Sequence, residues 1–94
     1  STPITRLDMA QMLYRLLAAL EVERPDAQTL EKARLAVGDW EAIPESYRQA
    51  VSVCYALGLL NGQADGTFGG SNCMNRAQGC TVIVRMADYL AAQA

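Results

Sequence analysis

Two stretches of this chain repeat each other at an offset of 70 residues, and that periodicity restricts the fold more than any other property of the sequence. Ile4-Thr5-Arg6-Leu7-Asp8 lies over Met74-Asn75-Arg76-Ala77-Gln78. The register continues with Met12 over Val82, Leu13 over Ile83, Arg15 over Arg85 and Leu16 over Met86. In each copy an apolar residue, a capping residue, an arginine and an acid or amide open an amphipathic helix. Repeats of this length are built from modular units that stack on one another. With 94 residues, half of them apolar, the chain holds one modest core and one structural domain.

The apolar spacing predicts an all-α fold of two to four helices. Met9, Met12, Leu13, Leu16, Leu17 and Leu20 recur at the three-and-four spacing of a one-sided helix over Thr5 to Leu20. Thr5 is its N-cap, preceded by Pro3, with Asp8 placed to return a bond to the cap. Pro25 in the polar stretch after it marks its end. A shorter helix follows over 27–36, capped by Asp26, with Leu30, Ala33 and Leu35 turned inward. Ile43-Pro44-Glu45-Ser46 opens another, on whose stripe lie Tyr47, Ala50, Val51, Cys54 and Leu57. Gly58 supplies its left-handed terminator, onto which Leu59 and Leu60 fold back. Asn61-Gly62 and Asp65-Gly66 are two tight turns, so the segment up to Gly69-Gly70 is a compact loop anchored by Phe68. The last helix runs over 75–92, with Asn75 and Gln78 as cap and box partner and Val82, Ile83, Met86, Tyr89 and Leu90 on one side.

Several function classes are excluded or weakened by what is missing. The chain has no histidine, which removes imidazole-based triads and metal sites and most general-base chemistry near neutral pH, so no enzyme is expected. Its eight basic residues are scattered and the net charge is −2, the wrong pattern for nucleic acid. No apolar stretch approaches the length of a membrane span, and the start lacks the pattern of a signal peptide. Cys54, Cys73 and Cys80 have no zinc-like spacing and read as small buried apolar residues, with Cys73 and Cys80 the pair that a disulfide would join. A calcium loop at Asn61-x-Gln63-x-Asp65-Gly66 fails because its first position is neutral and its twelfth is Asn72 where a bidentate Glu is needed. No metal and no cofactor are expected.

The blocks Val37-Gly38-Asp39-Trp40-Glu41-Ala42-Ile43-Pro44-Glu45-Ser46-Tyr47, Gly58-Leu59-Leu60-Asn61-Gly62, Asp65-Gly66-Thr67-Phe68 and Asn75-Arg76-Ala77-Gln78 together resemble the S-layer homology motif, as found in cell-surface proteins of Gram-positive, clostridial-type bacteria. The sequence departs from the usual pattern in having Val37 for the opening aromatic, Gly69-Gly70 after the "DGxF" block where proline is usual, and Gly79 for a larger residue. On this resemblance residues 37–94 form a complete motif, 1–24 are the closing helix of a preceding one, and 25–36 are a linker or short helix. The resemblance implies a helical repeat that takes part in a pseudo-trimeric bundle, with further motifs or identical chains as partners. It also implies noncovalent anchoring of an extracellular protein to the bacterial cell wall, by binding a secondary cell-wall polysaccharide that carries pyruvylated sugars.

By position, the carboxylate-binding arginine of the family falls on Arg6 and Arg76. A guanidinium at the first turn of a helix sits beside free backbone N–H groups and offers a planar fork to a carboxylate. The bland alternative is that these arginines pair with a loop carboxylate such as Asp39 or Asp65. Trp40 and Tyr47 are either sugar-stacking faces or core anchors, and Asp65-Gly66 is a turn signature before it is a ligand contact. The rival to polymer binding is a protein-interaction, oligomerisation or spacer module with the same fold.

Overall fold

The computed structural model describes residues 4–63, 65–70 and 72–93, and Pro3 lies outside the described residues. Its helices are α1 (Arg6–Ala19), α2 (Ala27–Ala36), α3 (Glu45–Ala56) and α4 (Arg76–Gln93), with a single 3-10 turn at Trp40–Ala42. Two very short strands, β1 (Ile4–Thr5) and β2 (Cys73–Met74), pair antiparallel in front of α1 and α4. The fold is therefore predominantly helical, as the spacing implies, and the small ladder is an addition that two-residue segments could not announce. Its register places Ile4 opposite Met74, so the two equivalent positions of the repeat face each other across a local two-fold.

Each helix is bounded by identifiable chemistry. Thr5 Oγ1 accepts from the Asp8 N–H at 3.1 Å, and Asp26 Oδ1 accepts from the Thr29 N–H at 2.8 Å. Asn75 and Gln78 form the reciprocal box, with the Gln78 N–H on Asn75 Oδ1 at 2.8 Å and the Asn75 N–H on Gln78 Oε1 at 2.9 Å. In α1 the box is one-sided, because the Asp8 carboxylate accepts from the Tyr47 hydroxyl instead of turning back to the cap. Helix α3 ends as expected: Gly58 takes φ +74°, its N–H donates to Tyr55, and the Leu59 N–H reaches back to Cys54 at 2.9 Å. Helix α1 ends by the same device, not at Pro25. Glu21 adopts φ +56° and donates to Ala18, while the Val22 N–H reaches Leu17 at 3.0 Å.

Helices α1 and α2 both pack on α3, whose Ala50, Val51, Val53 and Cys54 are almost fully buried. Small residues at that crossing bring the backbones close enough for the Cys54 thiol to donate to the Ala10 carbonyl, Sγ to O 3.5 Å. Only one side of the broad apolar stripe of α1 is used: Met9, Ala10, Leu13 and Leu17 are buried, while Met12, Leu16 and Leu20 are exposed. In α4 the covered side is Val82 and Met86, and Ile83 is 50% exposed. Leu35, expected inside, is 69% exposed, because it lies two residues and about 200° around the helix from buried Ala33. Cys73 and Cys80 are likewise exposed, and all three thiols are free.

The loop between α3 and β2 is held on this helical platform. Leu59, Leu60 and Phe68 are almost completely buried, with Phe68 at 0% exposure. Burial of that ring stabilises by about 2 to 3 kcal/mol. The Asp39 carboxylate accepts from the Phe68 N–H at 2.7 Å and the Gly69 N–H at 3.1 Å. Gly38 donates to the Gly66 carbonyl at 2.9 Å, and a Cβ on Gly38 would stand 2.9 Å from that same oxygen, so only glycine permits the approach. On the far side, the first N–H groups of α1 complete the seat, with Arg6 donating to Asn72 at 3.0 Å and Leu7 to Gly70 at 3.1 Å.

Two outcomes follow from this arrangement. Replacing Asp39 by Ala leaves the Phe68 and Gly69 N–H groups without their acceptor and is expected to cost about 2 to 3 kcal/mol in urea unfolding. An unchanged midpoint would show that water replaces the carboxylate without penalty. Burial pushes the Cys54 thiol up to about 12, so a thiol reagent at pH 8 is expected to label Cys73 and Cys80 in the native protein and Cys54 only after unfolding. Mass spectrometry of the labelled peptides checks it.

Candidate functional site

The seven residues that the sequence singles out do not converge on one pocket. Arg6 is half-buried, and its Nε donates to the Phe68 carbonyl at 2.8 Å. One terminal nitrogen donates to the Asn61 carbonyl, and the guanidinium lies 5.1 Å from the centroid of the Phe68 ring. Its partners are thus carbonyl oxygens, not the carboxylates of Asp39 or Asp65. Partial burial of this guanidinium lowers its pKa from the ordinary arginine value.

Asp39 and Asp65 both serve the loop backbone. Asp39 spans the N–H groups of Phe68 and Gly69, as described above. Asp65 Oδ1 accepts from the Thr67 N–H at 3.0 Å and the Thr67 hydroxyl at 2.6 Å, and these bonds lower its pKa. Gly66 takes φ +87° within that turn.

Trp40 is half-buried, with the Arg48 guanidinium 5.6 Å from its ring, and it lines a shallow groove with Leu30 and Arg34. Tyr47 donates its hydroxyl to Asp8 at 3.2 Å, and that hydrogen bond and the Asp8 charge raise the phenol pKa. Arg76, the repeat partner of Arg6, is exposed on a different surface, beside Met9, Cys80, Ile83 and Val84.

Two further grooves are lined by polar groups of the repeated helices α4 and α1. The first runs between α4 and the turn at Leu60-Asn61-Gly62, and Arg6 forms part of its wall. The α4 residues facing it are Gln78, Thr81, Val82 and Arg85. Two guanidinium groups line it and no carboxylate does, so it concentrates positive charge on a chain of net charge −2. The second groove lies between α1 and the start of α3, where Asp8, Gln11, Met12 and Arg15 face Ser46 and Tyr47. There the Asp8 carboxylate offsets the Arg15 charge.

Sequence reasoning did not single out Arg85, Asn61 or Gln78 as groove residues. The signal for Arg85 was present in the repeat, which sets Arg15 over Arg85. No motif distinguishes the wall of a groove from any other polar helix face, however. Among the described residues no cluster of three or more metal-ligating side chains occurs, and no helix is long and apolar enough to cross a membrane.

Comparison with curated proteins and with solved structures finds no match. The family model of the S-layer homology domain matches residues 38–78, a span that begins at the glycine packed on Gly66 and closes at Gln78, the box partner of the α4 cap Asn75. Domains of this family are noncatalytic binding modules associated with the bacterial cell surface, where they anchor proteins to the wall. Residues 38–78 of the chain thus form an S-layer homology domain.

Proposed function

We propose that this module holds an extracellular protein noncovalently on the bacterial wall by binding a secondary cell-wall polysaccharide bearing pyruvylated sugars. The observation that carries the reading is the groove between α4 and the Asn61-Gly62 turn, whose lining has two arginines and no acid. A pyruvyl ketal presents a carboxylate on a rigid sugar ring, and a guanidinium fork pairs a carboxylate through two parallel bonds. Arg6 suits such a role because its Nε and one terminal nitrogen are already fixed on loop carbonyls. Three of its five N–H donors remain, and they are held in a defined orientation without further loss of side-chain freedom. The exposed polar atoms of Asn61 and Gln78 beside it supply the neutral hydrogen-bonding groups that a sugar ring requires.

A second reading rests on a different surface. Ile83 and Val84 of α4 are 50% and 58% exposed, and Met12, Leu16 and Leu20 of α1 are open as well. Exposed apolar side chains of this kind suit contact with further motifs or identical chains, as an oligomerisation or spacer module would need.

Co-sedimentation with purified wall sacculi separates the two. The polymer reading expects the chain to pellet with sacculi that keep their secondary polysaccharide and to stay in solution once that polymer has been removed chemically. Equal sedimentation with both preparations, or with neither, would overturn it.

A further inference from the structure

The same four helix positions line a groove in each copy of the repeat. On α4 they are Gln78, Thr81, Val82 and Arg85; on α1, 70 residues earlier, they are Asp8, Gln11, Met12 and Arg15. The spacing i, i+3, i+4, i+7 is one face of a helix, so each repeat presents one polar stripe to a concave surface. Two helices in different surroundings, one facing the α3 start and one facing a Gly-rich turn, have kept that stripe turned toward a groove.

The difference between the copies lies in their charge. In the α1 groove Asp8 accompanies Arg15, and Tyr47 is hydrogen-bonded to the Asp8 carboxylate. Arg15 acts electrostatically on that same Tyr47 phenol, which places its charge inside the groove with the acid. In the α4 groove the equivalent of Asp8 is the neutral Gln78, whose Oε1 is occupied by the Asn75 N–H and whose amide N–H groups are left for a ligand. Here Arg85 is half-exposed and makes no hydrogen bond or ion pair among the described residues. Arg6, across the groove, is anchored on carbonyls.

We propose that Arg85 is the principal anion-binding residue of the chain, reading the carboxylate of a saccharide in the α4 groove with Arg6 as the fixed second cation. The α1 groove, its charge cancelled by Asp8, takes no anion. This rests on the polysaccharide reading and assigns its principal carboxylate contact to Arg85, where the family resemblance points to Arg6 and Arg76.

The test is an NMR titration of the whole chain with three probes: a pyruvylated N-acetylhexosamine glycoside, the same glycoside without the pyruvate, and glycerol phosphate. It is run on the wild type and on Arg85→Gln, Arg76→Gln and Arg15→Gln, each first shown by thermal melting to be folded. The wild type is expected to bind the pyruvylated glycoside, with amide shifts at Asn61, Gly62 and Gln78. Arg85→Gln should weaken that binding about tenfold or more, while Arg76→Gln and Arg15→Gln stay within about twofold. Undiminished binding by Arg85→Gln, or a loss confined to Arg76→Gln, overturns the assignment and leaves the polysaccharide reading standing. Preference for glycerol phosphate that is lost in Arg85→Gln keeps Arg85 as the anion site and rejects the pyruvylated sugar. Binding of neither anionic probe by the wild type overturns both.

Discussion

The peptide at Phe68 is held from both ends by opposite charges, and the rest of the structure is arranged around that grip. Its N–H, with that of Gly69, donates to the Asp39 carboxylate, and its C=O accepts from the Arg6 guanidinium. Asp39 precedes the 3-10 turn that leads into α3, while Arg6 opens α1, so one short loop segment joins parts of the chain that are far apart in sequence. The ring between them is fully buried and faces the guanidinium. Charge-assisted hydrogen bonds of this kind are worth more than neutral ones, and here they fix a loop that has no regular structure of its own.

The grip also explains why the loop is rich in glycine and why a groove forms beside it. Gly66 and Gly69 take positive φ, and Gly70 sits where a side chain would collide with Leu7. A backbone drawn this close to α1 and to the 37–39 segment leaves the Asn61-Gly62 turn standing against α4, and the space between them is the candidate site. Arg6 therefore has two roles that reinforce each other. Bonding to the Asn61 and Phe68 carbonyls shapes the wall, and the same bonds orient the remaining donors. Preorganisation of this sort would favour the proposed binding, because less side-chain motion would be lost on engaging a ligand.

The helices were legible because their signals are local. Capping residues at Thr5, Asp26 and Asn75, the left-handed Gly58 and the three-and-four spacing each act within a turn or two, and each appears in the structure where the sequence puts it. Signals that depend on which neighbour arrives were not legible. The stripes of α1 and α4 are wider than the surface that covers them, so periodicity alone could not say that Leu13 is buried and Leu16 is not. Glu21 has no propensity that marks it as a helix terminator, and it takes the left-handed conformation because Val22 packs against the core beyond it. At the site, the loop-ordering acids Asp39 and Asp65 resemble ligand acids in sequence, since both tasks need the same carboxylate. Arg6 and Arg76 are likewise equivalent in the repeat, and in the structure the loop carrying Asn61 and Phe68 meets Arg6.

The Phe68 peptide is an integral part of the folded core and not a surface loop resting upon it. Native-state hydrogen exchange of the Phe68 and Gly69 amides tests this most directly. If the grip holds the structure together, both amides exchange only through global unfolding, with the same free energy as the amides of Val53 and Cys54 in α3. Exchange of Phe68 and Gly69 through a local opening of much lower free energy, while α3 stays protected, would contradict it.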